Sequence, residues 1–277
     1  MKIIAESSTT RTEWALVDGD TVVEHAFTTG INPFFQSRRE ISHCIRLELP
    51  EAFFRKRWDH VYFYGAGCAN IEKVKLISSS LVAQFKTPVT VESDLLGAAR
   101  GLFVHQPGLA CIIGTGSNSC LYDGQEIVKT VAPLGYILGD EGSGSYLGKV
   151  FIADVLKGIA PDDLIRGFFE KFAVTPNVLM ADVYNNPLPA RTLSHYSTFL
   201  ADHLDNPYVY QLIYGAFMRF FTRNIGAYDY ASHPISIVGS TAVTYSEILH
   251  RAAADFGVEI TRIIPYSMPG LIEYHAD

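Results

Sequence analysis

The chain carries the same device twice, and that repeat limits the folds open to it. Lys2-Ile3-Ile4-Ala5 is an apolar run, followed by a polar stretch from Glu6 to Thr12, then Trp14-Ala15-Leu16-Val17, an Asp18-Gly19 turn and Thr21-Val22-Val23. Further along stand Leu109-Ala110-Cys111-Ile112-Ile113, a polar stretch from Gly114 to Ser119, Cys120-Leu121-Tyr122, an Asp123-Gly124 turn and Glu126-Ile127-Val128. Asp-Gly between β-rich runs closes a tight hairpin, so each segment predicts a three-stranded meander whose first turn is built of small residues.

Strand-then-helix patterns follow the first meander. An extended piece covers Val61 to Gly67, a helix is predicted from Glu72 to Phe85, and a short strand covers Val89-Thr90-Val91. Ser93 or Asp94 then caps a helix whose apolar residues Leu95, Leu96, Ala99, Leu102 and Phe103 recur at helical spacing. The second half continues with a helix from Ser145 to Leu156, a largely helical middle that includes Asn206 to Tyr230, and Ile235 to Val238 as a strand. Gly239-Ser240, a helix from Tyr245 to Phe256, a strand from Ile260 to Ile264 and a short terminal helix complete it. Two α/β halves, each opened by a meander, predict two domains facing a cleft into which the small-residue turns point. A length of 277 residues suits two such cores. The aromatic stripe Tyr210, Tyr214, Phe217 and Phe221 repeats at helical spacing and reads as core packing.

Composition narrows the function classes. A net charge of −7 with no Lys/Arg cluster gives no footprint for a phosphate backbone, so nucleic acid is not an expected partner. No apolar run approaches membrane-spanning length and Ile3-Ile4-Ala5 falls short of a signal-peptide core, which predicts a cytoplasmic protein without a membrane partner. Cys44, Cys68, Cys111 and Cys120 are scattered and read as free thiols; no histidine falls in an H-E-x-x-H pattern. A Walker A loop is absent, since Ser143 and Val150 stand where Gly and Ser/Thr would flank Gly148-Lys149.

Gly/Ser/Thr turns let successive backbone N–H groups converge on an anion, because no bulky side chain blocks the approach. Glu6-Ser7-Ser8-Thr9-Thr10-Arg11-Thr12 and Gly114-Thr115-Gly116-Ser117-Asn118 occupy equivalent places in the repeat, which favours phosphate binding over plain turns. Val238-Gly239-Ser240 is a third candidate, as a ribose or phosphate contact or as a simple strand-to-helix turn. Asp94 reads as a helix N-cap or as a general base, and Asp140 and Glu141 as first-turn dipole partners or as sugar ligands.

The ordered set Glu6 to Trp14, Asp94, GTGSN at Gly114 to Asn118, GDEGSG at Gly139 to Gly144 and VGS at Val238 to Ser240 resembles one family along the whole chain. It is similar to the N-acetylglucosamine kinase-like members of the BadF/BadG/BcrA/BcrD ATPase group, within the sugar kinase, Hsp70 and actin superfamily. The resemblance implies an α/β fold of two ribonuclease-H-like domains, 1–106 on the sugar and magnesium-phosphate side and 107–277, with a helical insertion, on the nucleotide side. The last residues would pack back on the first domain. It implies ATP and Mg2+ as cofactors, phosphorylation of an amino sugar to its 6-phosphate with domain closure against water, and Asp94 as general base. Glu6 would act near the magnesium through water; Thr10, Arg11, Thr115 and Gly116 would hold β- and γ-phosphates, and Gly239 and Ser240 the ribose and α-phosphate. Asn32, Ser117, Asn118, Asp140 and the Gly135 backbone would read the sugar, which Asp94 also contacts. A homodimer suits the family.

The chain departs from the usual D-[GS]-G-[ST]-T-[KR]-[ST] pattern, with Glu6 for Asp and Ser8 where Gly is expected. The longer carboxylate shifts the metal-side oxygen, and a side chain at Ser8 disfavours positive φ by roughly 1 kcal/mol or more. Two alternatives stay open: a sugar- or nucleotide-binding regulator of weakened turnover, and an ATPase activator of an acyl-CoA dehydratase. The scattered cysteines argue against the latter's iron–sulfur cluster.

Overall fold

The computed structural model describes residues 1–8, 10–68 and 70–276; Thr9, part of the first small-residue turn, lies outside the described residues. The elements in chain order are β1 (Lys2–Ser7), β2 (Arg11–Asp18), β3 (Thr21–Thr29), α1 (Arg38–Glu48), β4 (His60–Gly65), α2 (Ile71–Phe85), β5 (Val89–Ser93) and α3 (Asp94–Phe103). Then come β6 (Gly108–Ile113), β7 (Ser117–Tyr122), β8 (Ile127–Thr130), the single turn α4 (Gly135–Leu138) and α5 (Gly144–Lys157). A helical stretch follows: α6 (Asp162–Phe172), α7 (Pro176–Asn185), α8 (Pro189–Ser197) and α9 (Pro207–Arg223). The chain closes with β9 (Ile235–Val238), α10 (Ser240–Thr244), α11 (Ser246–Phe256), β10 (Ile260–Ile264) and α12 (Met268–Tyr274).

The chain divides into two compact units. The first comprises Met1–Ala110, Tyr122–Val128 and the stretch from Tyr266 onward; the second comprises Cys111–Leu121 and Lys129–Pro265. In the first, the sheet order is β3-β2-β1-β4-β5. The β1–β2 and β2–β3 pairs are antiparallel, and β1–β4 and β4–β5 parallel. Alternation along the strands divides the core in two, because successive side chains point to opposite faces. Ile3, Ala5, Trp14, Leu16 and Phe63 face Ile41 and Ile45 of α1 and Ile77, Leu81 and Phe85 of α2. Ile4, Ala15, Val17 and Tyr64 face Met268 and Leu271 of α12.

The second sheet has the order β10-β9-β6-β7-β8, with β9 and β10 parallel. Read from the meander edge, both sheets place the third, second and first strands of their half before the fourth and fifth. This is the ribonuclease-H-like plan, used twice. Between α5 and β9 the helical stretch builds its own interior from Phe151, Phe168, Phe199, Phe217, Phe220 and Phe221, all fully buried. Within the aromatic stripe, Phe217 and Phe221 belong to that interior, while Tyr210 and Tyr214 stack on each other at 6.1 Å and remain half-buried.

The small-residue turns are shorter than the polar stretches suggest. Glu6 and Ser7 complete β1, Arg11 and Thr12 open β2, and Ser117 to Ser119 belong to β7. Polar residues stay in strand where the interior supplies partners. Ser7 Oγ pairs with Thr12 Oγ1 at 2.8 Å, donates to the Ile31 carbonyl at 3.0 Å and accepts from the Ile31 N–H at 2.9 Å.

After α12 the chain is anchored by His275. Its Nε2 lies 2.7 Å from the Tyr64 hydroxyl, which accepts from Arg100 Nη1 at 3.1 Å and so has its own proton to give the imidazole. The ring stacks on Tyr62 at 3.8 Å, and the His275 carbonyl accepts from Lys2 Nζ at 2.7 Å. An acceptor Nε2 requires a neutral imidazole. Burial, with the charges of Arg100 and Lys2, accordingly pushes the His275 pKa down to about 3. A depressed histidine supports the fold above its ordinary pKa of 6.5, and that support is withdrawn as pH falls from there toward about 3. The stability difference between wild type and His275→Gln in urea melts is therefore expected to shrink by up to about 1.4 kcal/mol for each pH unit lowered below 6.5. A difference that stays constant from pH 7 to pH 4 contradicts the neutral, Tyr64-bonded imidazole.

Candidate active site

In the first unit, the end of β1 and the start of α3 bring two carboxylates together. Glu6 pairs in register with Glu13 of β2 and Tyr64 of β4. Its carboxylate accepts a hydrogen bond from the Ser267 hydroxyl and another from the Ser267 backbone N–H. Burial raises the Glu6 pKa to about 7 against those two bonds, and repulsion from Glu13 and Asp94 adds to the rise. Asp94 is the first residue of α3, but it is not the cap: Ser93 Oγ accepts from the Leu96 N–H at 3.2 Å. Asp94 Oδ1 accepts from the Leu95 N–H at 2.9 Å, and burial raises its carboxyl above the ordinary range. Ser93 is thus the N-cap of α3, while Asp94 engages a first-turn N–H of the same helix.

Around this pair the first turn is ordered by Ser8. Its Oγ accepts from the N–H groups of Thr10 (3.3 Å) and Arg11 (3.4 Å) and lies 3.1 Å from Thr10 Oγ1. Among the described residues, positive φ at non-glycine positions occurs at Lys86, Val104, Asp140 and Ala173, so Ser8 does not carry the strain expected of a side chain in a glycine position. Arg11 is seated between rings, with its guanidinium 4.4 Å from the centroid of Phe27 and 4.9 Å from that of Tyr266. Asn32 follows the Ile31 peptide tied to Ser7, and its Oδ1 accepts from the Phe34 N–H at 3.0 Å.

In the second unit, the Gly114–Gly116 turn has its carbonyls fixed inward. Gly114 O accepts from the Gly144 N–H at 2.8 Å and from the Thr241 hydroxyl at 2.9 Å, and Thr115 O accepts from the Ser145 N–H at 3.0 Å. The first N–H groups of a helix are without intrahelical partners. Here those of α5 hold the turn, and Ser143 Oγ caps the next by accepting from the Tyr146 N–H at 3.2 Å. No hydrogen bond joins the N–H of Thr115 or Gly116 to a described residue. Small side chains beside N–H groups without protein partners are the makings of an anion cradle.

Asp140 adjoins this turn. Its Oδ1 accepts from the Ser117 N–H at 3.3 Å, and Gly116 lies so close that a Cβ there would stand 3.0 Å from Oδ2. Asp140 holds a left-handed backbone, φ 56°, and burial raises its carboxyl. Strain of this kind in a non-glycine residue gathers at ligand sites. Glu141 is engaged on both its polar groups: Arg223 Nη1 holds its carboxylate at 2.7 Å, and its carbonyl accepts from Ser117 Oγ at 2.8 Å. Asn118 Oδ1 accepts from the Ser119 N–H at 2.9 Å. Ser240, exposed, opens α10 just after Gly239. Gly135 opens α4, and Lys149 links α4 to Asp140, donating to the Tyr136 carbonyl at 2.7 Å while its charge acts on Asp140.

Sequence reasoning missed Thr241, Lys149 and Ser267. Thr241, two positions beyond Gly239, was the nearest to being legible.

A divalent cation suits the first unit. Among the described residues no group of three or more His, Cys, Asp and Glu forms a protein cage. Mg2+ needs none, since it keeps several waters and takes one or two carboxylates plus phosphate oxygens. A carboxylate raised by burial and like charges, as Glu6 is, would be relieved by such a cation.

No protein-family model and no curated protein matches the chain. Among solved structures, a Porphyromonas gingivalis protein described as a "putative N-acetylglucosamine kinase" is 40% identical, with a TM-score of 0.95 over 100% of this chain and 99% of that one. A Chromobacterium violaceum protein so described is 17% identical, with a TM-score of 0.77 over 99% and 98%. A ROK family glucokinase from Streptomyces griseus, in complex with glucose and AMPPNP, shares the fold at 11% identity, with a TM-score of 0.59 over 99% and 97%. Two ribonuclease-H-like domains of this plan define the actin-like sugar-kinase fold. The chain belongs to the N-acetylglucosamine kinase-like family.

Gly239 is the position on which the cradle depends. It holds φ 136°, donates to the Ile264 carbonyl at 3.0 Å and abuts the Ile113 carbonyl so closely that a Cβ would overlap it. Gly239→Ala is expected to cost about 3 kcal/mol or more in chemical denaturation, from strain plus overlap. A loss under about 0.5 kcal/mol, the ordinary range for surface changes, contradicts the close approach.

Proposed function

We propose that the protein is an ATP- and Mg2+-dependent kinase of an amino sugar, most simply N-acetylglucosamine, that forms the 6-phosphate with Asp94 as general base. The observation that carries this reading is that Ser93, not Asp94, is the N-cap of α3, while the buried Asp94 keeps a carboxyl of raised pKa beside Glu6. A carboxylate made more basic by burial is a better acceptor for the proton of an attacking hydroxyl near neutral pH. In this reading the sugar 6-hydroxyl gives its proton to Asp94 as its oxygen bonds to the γ-phosphorus, and the bond to ADP breaks.

The first unit is the sugar and magnesium side and the second the nucleotide side. Magnesium, when bound, neutralises charge on the transferring phosphates. Glu6 orients its water shell, Thr10 and Arg11 face the phosphates from the first turn, and Thr115 and Gly116 receive them on the unpartnered N–H groups of the second. Gly239 and Ser240 take the ribose and α-phosphate. Asn32, Ser117, Asn118, Asp140 and the Gly135 backbone read the hydroxyls and acetamide. Cytoplasmic residence agrees with the reading; no helix among the described residues is long and apolar enough to cross a membrane.

The test is ADP release with ATP-Mg2+ across a panel of hexoses and N-acetylhexosamines, with Asp94→Asn as control. Turnover that depends on an N-acetylhexosamine and falls by at least about a hundredfold in Asp94→Asn is expected, the usual range for a lost general base. Sugar binding by calorimetry without turnover contradicts the kinase and favours a regulator.

A further inference from the structure

Ser267 occupies the N-cap position of α12, where a serine hydroxyl ordinarily accepts from an N–H of the first helical turn. It makes no such bond: its backbone is αR (φ −89°, ψ −11°), and its hydroxyl donates to the Glu6 carboxylate instead. The residue is fully buried, and its own N–H donates to the same carboxylate. Helix α12 thus gives up its side-chain cap and places two donors on one side chain 261 positions earlier in the chain.

The placement is enforced by backbone contact. Gly101 of α3 lies against Ser267 so closely that a Cβ would overlap both the Ser267 side chain and its carbonyl, and a Cβ on Gly270 would overlap the Gly101 carbonyl. Two glycines therefore let α12 rest directly on α3, the helix that begins at Asp94. Glutamate has one more rotatable bond than aspartate, so its carboxylate needs more holding to stand in one place. Two donors from one rigid residue supply that holding.

We infer that Ser267 is a positioning residue for the reaction: it fixes the Glu6 carboxylate for the magnesium-side water shell, and α12 is the element that carries it there. The inference rests on the reading of Glu6 as the magnesium-side carboxylate. Outer-shell partners of a metal site typically change its affinity by tenfold or more when removed.

The experiment is Mn2+ binding to the full chain in the presence of ADP, followed by electron paramagnetic resonance, for wild type, Ser267→Ala, Glu6→Gln and the double variant. Ser267→Ala is expected to weaken Mn2+ binding about tenfold, and to weaken it no further in the Glu6→Gln background. Should Ser267→Ala fail to fold, Ser267→Cys, of similar volume and with a weaker donor, is expected to move in the same direction. Unchanged Mn2+ binding in a folded Ser267 variant overturns the inference. So does an equal loss with and without the Glu6 carboxylate, which marks a merely structural role, and so does wild type that binds no Mn2+ with ADP. Weakened, Glu6-dependent metal binding in a chain whose wild type phosphorylates no sugar sustains the inference while refuting the kinase reading.

Discussion

The carbonyls of Gly114 and Thr115 are engaged from inside by the first N–H groups of α5 and by Thr241, and the rest of the candidate nucleotide side follows from that. A turn with its acceptors tied down presents its donors on the other side. Bulk would spoil the arrangement twice: a side chain at Gly116 would press on Asp140, and one at Gly239 would push the Ile113–Gly114 peptide out of line. The lack of a side chain at Gly116 and at Gly239 thus has a steric cause that holds before any ligand arrives. The same packing delivers Asp140 and Ser117 to the edge of the turn.

The first unit solves a different problem, that of keeping carboxylates close together and partly out of water. Desolvation and mutual repulsion raise Glu6, while two donors from Ser267 oppose the rise. Asp94 is not needed as the cap, because Ser93 caps α3. Both departures from the family's phosphate-loop pattern have local answers: Ser8 avoids positive φ and orders the turn with its hydroxyl, and the longer Glu6 is held from α12.

Much of the fold was legible because period-2 alternation and Asp-Gly turns are local signals; the two meanders and the strand–helix units that follow them stand where the sequence put them. Boundaries failed where polar residues remain in strand, as at Ser7 and Thr12, since their partners lie across the sheet or in a distant loop. Helix α1 was passed over although its signal was present: Ser37 and Glu40 form a full capping box ahead of a charged, one-sided helix. Of the site, the small-residue turns and Asp94 could be picked out, but the choice between Ser93 and Asp94 as cap required coordinates. The Ser267–Glu6 bond had no sequence signal, because nothing local distinguishes a serine that caps its helix from one that serves another element.

A kinase of this kind passes phosphate from ATP to a sugar oxygen. Incubation with γ-32P-labelled ATP, Mg2+ and N-acetylglucosamine, followed by separation of the products, tests it directly. Label in the sugar 6-phosphate, formed in step with ADP, is expected. Label confined to inorganic phosphate, at a rate indifferent to the sugar, would contradict it and mark the protein as an ATPase that serves some other end.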